Sequence, residues 1–271
     1  MRLSLRSTLS LRAVALLYLL VLLLLPVGFV FGKTFEHGFS VAWGWITTPA
    51  AVSAFWLSVV IALIAVPLNT IFGVGTALVL VRSKTRGRKL LDALIDLPFV
   101  VSPVIVGLAL VLVYGQGGWF GDWFLKRGVQ IIYAVPGMVI ATVFVSLPFV
   151  VREVAPVLLA AGDEQEQAAA TLGASSWQTF WRITFPSIRW GVAYGVVLTT
   201  ARALGEIGAV AVVSSQVAGS TLTLPLLVAQ RDSQVGSGAL TGSYAAGAEL
   251  AVMSLVVLLA MTLLGPRRAK R

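Results

Sequence analysis

Apolar residues in this chain fall into long blocks separated by short polar segments. Several blocks reach the roughly 20 residues that a helix needs to cross a hydrocarbon core. Six spans are the most economical division, near 13–31, 51–81, 94–114, 131–151, 190–213 and 246–264. The second block is longer than a bilayer requires, and Pro67, Gly73 and Gly75 within it predict a kinked or tilted helix. Pro98, Pro103, Pro136 and Pro148 also fall in or beside spans. Such residues are tolerated where neighbours re-satisfy freed backbone groups, which predicts a packed bundle around a pathway. The pairs Gly28/Gly32 and Gly191/Gly195 have the spacing that lets helices approach closely.

One long polar stretch interrupts this pattern, DEQEQAAATLGASSWQTFWRITFPSI at 163–188, inside a connecting loop spanning 152–189. Asp163 and Glu166 have the spacing of a reciprocal N-terminal cap. Helix formers follow, among them Gln167, Ala168 and Ala169, and Gly173 suits the left-handed position that ends a helix. Ser175 and Gln178 repeat the capping spacing, and Pro186 is expected to close the second helix. The result is a helix-turn-helix projection bearing Trp177, Phe180 and Trp181. Two readings fit it: docking in a groove of a partner, or lying along the membrane interface.

Charge sets the expected orientation. With the N-terminus inside, fifteen basic residues fall on cytoplasmic segments and four (Lys33, Lys126, Arg127 and Arg231) on outer ones. The inner set includes Arg2, Arg6 and Arg12, the 82–89 cluster, Arg152, Arg182, Arg189 and the tail at 265–271. Both termini and the polar loop are thereby expected in the cytoplasm. The net charge of +9 thus orients spans and makes no patch for nucleic acid. Tryptophans agree, with Trp43, Trp45, Trp56, Trp119 and Trp123 near one boundary and Trp177, Trp181 and Trp190 near the other. The basic segment 1–12 and the apolar stretch after it have the outline of a signal peptide. PVGFVFGKTF follows in place of a small-residue cleavage site, so this is read as an uncleaved span. A hydrophobic share of 58% and the absence of cysteine exclude an ordinary soluble domain, disulfides and thiolate metal sites.

Candidate chemistry is sparse. GFVFGKT at 28–34 is one residue short of a phosphate-binding loop and follows a membrane helix, so it is read as an interfacial lysine. His37, the only histidine, has no ligand partners nearby in sequence. Arg202 and Glu206 lie four residues apart in the fifth span, a spacing that pairs them on one face. They are either a structural ion pair or a pathway element in which Arg202 attracts an anion. Ser102 and Pro103 leave a hydroxyl and a free carbonyl along a pathway, or form a kink with Ser102 bonded to its own backbone. Asp92 and Asp96 are read as helix caps.

The polar loop resembles the EAA loop of ABC importer permeases, E-A-A-x3-G-x9-I-x-L-P. It reads Gln167, Ala168, Ala169, then Gly173, then Ile183, Phe185 and Pro186. Gln167 replaces the leading glutamate and Phe185 the leucine, with Glu166 or Glu164 as a substitute charge. VPLNTIFGVGTA, DLPFVVSPVIVGL, ARALGEIGAVAVVS and TLTLPLLV extend the similarity to sulfate/thiosulfate permease subunits of the CysW type. Permeases for molybdate, tungstate or other oxyanions are the nearest alternative.

The resemblance implies an all-α integral membrane protein, the six-helix transmembrane domain of a type I ABC importer, in the bacterial cytoplasmic (inner) membrane. It implies a half-channel pairing with a second, homologous permease subunit, above two copies of an ABC ATPase that hold ATP and Mg. A periplasmic or lipid-anchored sulfate-binding protein delivers the anion. No catalytic residue, metal or nucleotide site is implied for this chain. The helix from about 167 to 173 would lie in a cleft of the ATPase and act as a lever. A secondary anion transporter would instead need titratable or sodium-binding groups at mid-membrane and inverted repeats. A channel would conduct without ATP.

Overall fold

A computed structural model describes residues 12, 14–83, 87–234 and 236–264, with the side chains of 237 and 261–264 left out. Residues 1–11 of the expected segment 1–12, the expected tail 265–271, and the basic residues Lys84 and Arg86 lie outside these described residues. The described chain is helical throughout: α1 (Val14–Phe35), α2 (Phe39–Ile46), α3 (Pro49–Arg82), α4 (Arg88–Val100) and α5 (Pro103–Tyr114). Then come α6 (Gly121–Leu125), α7 (Val135–Ala161), α8 (Glu164–Thr171), α9 (Ser176–Thr179) and α10 (Phe185–Leu204). The series ends with α11 (Gly208–Val213), α12 (Leu224–Asp232) and α13 (Ser237–Leu264). Four helices are long and apolar enough to cross a membrane, α1, α3, α7 and most of α13.

Three features depart from the sequence expectation. The 94–114 block is two helices, α4 and α5, bent by 110° where Val101 and Ser102 leave helical geometry ahead of Pro103. The 190–213 block likewise stops at Leu204 and resumes at Gly208. Pro186 does not close the second helix of the polar loop; it sits in the first turn of α10. A π turn over Phe180–Thr184 joins α9 to α10 without a break. Proline offers no N–H to the carbonyl four residues back, and widening the preceding turn accommodates that loss. The same device recurs in α1, where a π turn over Leu20–Leu24 precedes Pro26.

Packing centres on α7, flanked by α3 and α10. A Cβ on Gly73 would stand 2.6 Å from Val150 Cβ, and one on Gly195 2.9 Å from Val150 Cα. Val150 is therefore gripped between two helices that approach to backbone distance. Gly191 and Gly195 make the expected close approach, while Gly28 and Gly32 face open space. The buried apolar side chains form two main clusters. One gathers Ala54, Ile61, Val106, Met138, Val145 and Leu224; the other gathers Val74, Leu80, Ile95, Val151, Leu158 and Ile188. Between them Asn69 of α3 donates to Ser146 of α7 at 2.7 Å, so the polar contact ties the two helices where the clusters part.

Helix lengths create the platform for the polar loop. At 1.5 Å per residue, the 34 residues of α3 extend about 51 Å and the 27 of α7 about 40 Å. Both exceed the roughly 30 Å of a hydrocarbon core. Their C-terminal turns meet α8 at the basic end of the bundle.

Candidate functional site

Two sites emerge, one at each end of α10. The first is the polar loop. Residues 152–161 of the expected loop still belong to α7, which ends at Gly162 with φ +67°. Helix α8 then ends as expected: Gly173 takes φ +82°, its N–H bonds Ala170 O at 3.1 Å, and Ala174 N–H bonds Ala169 O at 3.0 Å. These two bonds are the Schellman closure of a helix on a left-handed residue. Ser175 and Gln178 form the expected reciprocal cap, with bonds of 3.3 and 3.0 Å.

The first cap differs. The Asp163 side chain makes no capping bond. Glu166 turns away from it and accepts from Arg82 Nε at 2.9 Å, Arg82 Nη2 at 3.3 Å and Thr184 Oγ1 at 2.8 Å. Arg82 also donates to the Gly162 carbonyl. One carboxylate thus holds α8 to the end of α3 and to the π turn, while its arginine holds the end of α7. Of the two candidate substitute charges, Glu166 faces inward, while Glu164 is exposed like Gln167. Asp92 and Asp96 are not caps either. Both lie within α4 and pair with Arg152 of α7, Asp96 Oδ1 accepting from Nε at 2.9 Å and Asp92 Oδ1 lying 2.9 Å from Nη2.

The outer surface of this loop carries large exposed apolar side chains among its polar ones. Leu172 is 88% and Trp177 70% exposed, and Trp181 packs edge-on against Trp177 at 5.5 Å. Ala168 is exposed while Ala169 is buried; Ile183 is half-buried and Pro186 exposed.

The second site lies where α10 ends. Arg202 Nη2 stands 2.8 Å from Glu206 Oε2 across the break after Leu204. The other oxygen, Oε1, accepts from Ala209 N–H at 2.8 Å and so caps α11. Glu206 is buried, whereas the Arg202 side chain is 31% exposed. Arg202 lines a pocket of about 390 Å³ together with Ser102, Pro103, Pro98, Phe99 and Val145. The structure therefore brings Arg202, Ser102 and Pro103 to one cavity and puts Glu206 behind its wall. Ser102 makes no side-chain capping bond, contrary to the reading as a self-bonded kink, and is exposed. It opens α5, whose N-terminal pole carries partial positive charge. Gly208 allows α11 to abut this turn: a Cβ there would stand 2.9 Å from Pro103 Cβ.

Sequence reasoning missed Arg231, counted above as an outer charge. It is buried, donating to Gly242 O at 2.9 Å and Thr48 Oγ1 at 2.8 Å, with the Trp45 ring 5.1 Å away. Burial lowers its pKa from the ordinary arginine value, against an opposing influence of Glu249. The phosphate-loop lookalike at 28–34 lies within α1, and its Lys33 pairs with Glu36 at 3.0 Å.

Comparison with known proteins gives the family. The chain is 52% identical to the sulfate transport system permease protein CysW of Synechocystis sp. over 245 residues, 90% of this chain and 89% of that one. It is 44% identical to the protein of that name in Escherichia coli over 243 residues, 90% of this chain and 82% of that one. The Synechocystis sulfate transport system permease protein CysT is 39% identical over 251 residues, covering 93% and 87% of the two chains. In fold it is similar to a bacterial ABC transporter that imports the acidic polysaccharide alginate. The TM-score is 0.78 at 19% identity, over 97% of this chain and 96% of that one. Residues 69–270 match the family model of the binding-protein-dependent transport system inner membrane component, and the chain belongs to that family.

Proposed function

We infer that the chain is one permease subunit of an ATP-driven importer of sulfate. The observation that carries this reading is similarity along nearly the whole chain to permeases named for sulfate transport, at 44–52% identity. The subunit sits in a bacterial cytoplasmic membrane with the basic end inside and pairs with a homologous permease of the CysT kind. ATP and Mg bind to two copies of a separate ATPase, and a sulfate-binding protein delivers the anion from outside. Helix α8 and the exposed Leu172 and Trp177 dock on the ATPase, which drives the permease only through its different affinity for two arrangements. The anion passes the pocket of Arg202 and Ser102, where a guanidinium, a hydroxyl and a helix N-terminus converge.

The test is reconstitution with these partners in liposomes and measurement of sulfate uptake. Uptake that requires ATP, and that thiosulfate but not molybdate inhibits, supports the reading. Uptake driven by a proton or sodium gradient alone overturns it.

A further inference from the structure

Glu206 stands in the way of an arginine meant to receive an anion, because it already neutralises that arginine at 2.8 Å. The two side chains are not equally free. Glu206 is buried and pinned through its other oxygen to Ala209 N–H, so it cannot follow Arg202 into the pocket. Arg202 is part-exposed on the pocket wall, with a flexible stem and five donors. The same pocket is lined by Ser102, which is exposed and makes no capping bond, and by Pro103, which opens α5 and contributes no N–H.

We propose that Glu206 is a built-in competitor for Arg202, which the arginine leaves for a divalent oxyanion in the pocket and rejoins when the anion departs. The proposal rests on reading this pocket as part of the anion pathway. A fixed carboxylate carries one charge. A tetrahedral dianion, which also takes a bond from Ser102 and feels the positive pole of α5, outbids it; a monoanion of the same shape does not. The exchange therefore discriminates by charge. It also keeps the dianion from being trapped, since conduction needs a site that releases what it binds. A permanently unpaired arginine would hold sulfate too well.

The experiment uses the assembled complex with its binding protein in liposomes, and perchlorate as a monovalent tetrahedral competitor. Glu206→Gln keeps an oxygen to cap α11 while removing the charge. It is expected to lower the perchlorate concentration that half-inhibits sulfate uptake about tenfold, within the range usual for coupled sites. Glu206→Asp, which withdraws the carboxylate while keeping a capping residue, gives a smaller shift in the same direction. It carries the test if the glutamine variant does not assemble. Unchanged perchlorate sensitivity in either assembled variant overturns the competition. Arg202→Gln distinguishes this from failure of the pathway reading. If the assembled R202Q complex imports sulfate normally, the pocket is not on the pathway at all; if it is impaired while E206Q keeps the unaltered chain's perchlorate sensitivity, only the competition falls.

Discussion

Glu166 joins three elements that are far apart in sequence, so its removal should loosen α8 without unfolding the bundle. Its carboxylate lies within 2.8–3.3 Å of two guanidinium nitrogens and a hydroxyl. The two charged side chains are 21% and 23% exposed, between a surface pair and a buried one. At an effective dielectric constant of about 20, charges 2.9 Å apart attract by about 6 kcal/mol before desolvation. Exposed pairs retain about 0–1 kcal/mol of such attraction, and truncating one partner of a buried pair costs about 3–5 kcal/mol. Glu166→Gln preserves shape and an acceptor for Thr184 but removes the charge, so we expect a loss of about 2 kcal/mol. That is roughly a thirtyfold fall in the ratio of docked to undocked α8. Amide hydrogen exchange reads this ratio directly, since local opening sets protection. Backbone N–H groups over 164–171 should lose protection by that factor, while those of α7 around Val150 stay protected. In reconstituted complexes the same variant should hydrolyse ATP with less sulfate moved per ATP. Arg82→Gln should have at least as large an effect, and the double variant should be no worse than R82Q. Strictly additive effects, or unchanged exchange in α8, would refute the clamp.

Three further outcomes follow from the same geometry. Gly173→Val meets no atom within 4 Å, so its cost is the strain of φ +82° on a β-branched residue, about 1–2 kcal/mol or more; ATPase activity that stays tightly coupled to uptake would contradict the role of this turn. Gly195→Val forces a Cβ to within 2.9 Å of Val150 Cα, an overpacking expected to cost about 1–3 kcal/mol. A lowered melting temperature of the purified subunit checks it, with Gly28→Val, which faces open space, as the neutral control. Trp177→Ala, at a site 70% exposed, should leave the melting temperature unchanged but weaken co-purification of the ATPase several-fold.

The parts of the site that were legible in the sequence are those made by residues within about five positions of one another. Ser175 with Gln178, Gly173 as a helix stop, and Arg202 with Glu206 all depend on local spacing; the first two appear as expected, and the third pairs as expected but across a helix break. Glu166 shows where that logic ends. Asp163 and Glu166 have the same capping spacing, yet a guanidinium 84 positions away takes the carboxylate. A charged donor outcompetes a neutral backbone N–H for a carboxylate, and nothing near Asp163 announces it. The break at 205–207 was hidden for a different reason. Ile207, Ala209, Val210 and Val213 prolong the apolar run, and hydropathy cannot tell a continuing helix from one that ends and restarts. The carboxylate cap that Glu206 supplies was the available signal.

Both sites are ends of one continuous helical stretch, and that continuity gives the arrangement its mechanical sense. From Ser176 through the π turn to Leu204 the chain has no break, and the 20 residues of α10 alone extend about 30 Å. At one end Thr184 is bonded to Glu166 in the clamp; at the other Arg202 faces the pocket. Its close approach to α7 through Gly191 and Gly195 leaves little room to bend between them, because backbone lies against backbone there. The compliant points are the π turn, where the ladder is already widened ahead of Pro186, and the break after Leu204. A displacement of α8 would therefore reach α10 as movement of a rod between two joints. Placing Arg202 in the last rigid turn and Glu206 beyond the joint puts their ion pair across the second of these compliant points. If the loop docks on an ATPase as proposed, energy delivered at the clamp would alter how firmly Glu206 holds the arginine.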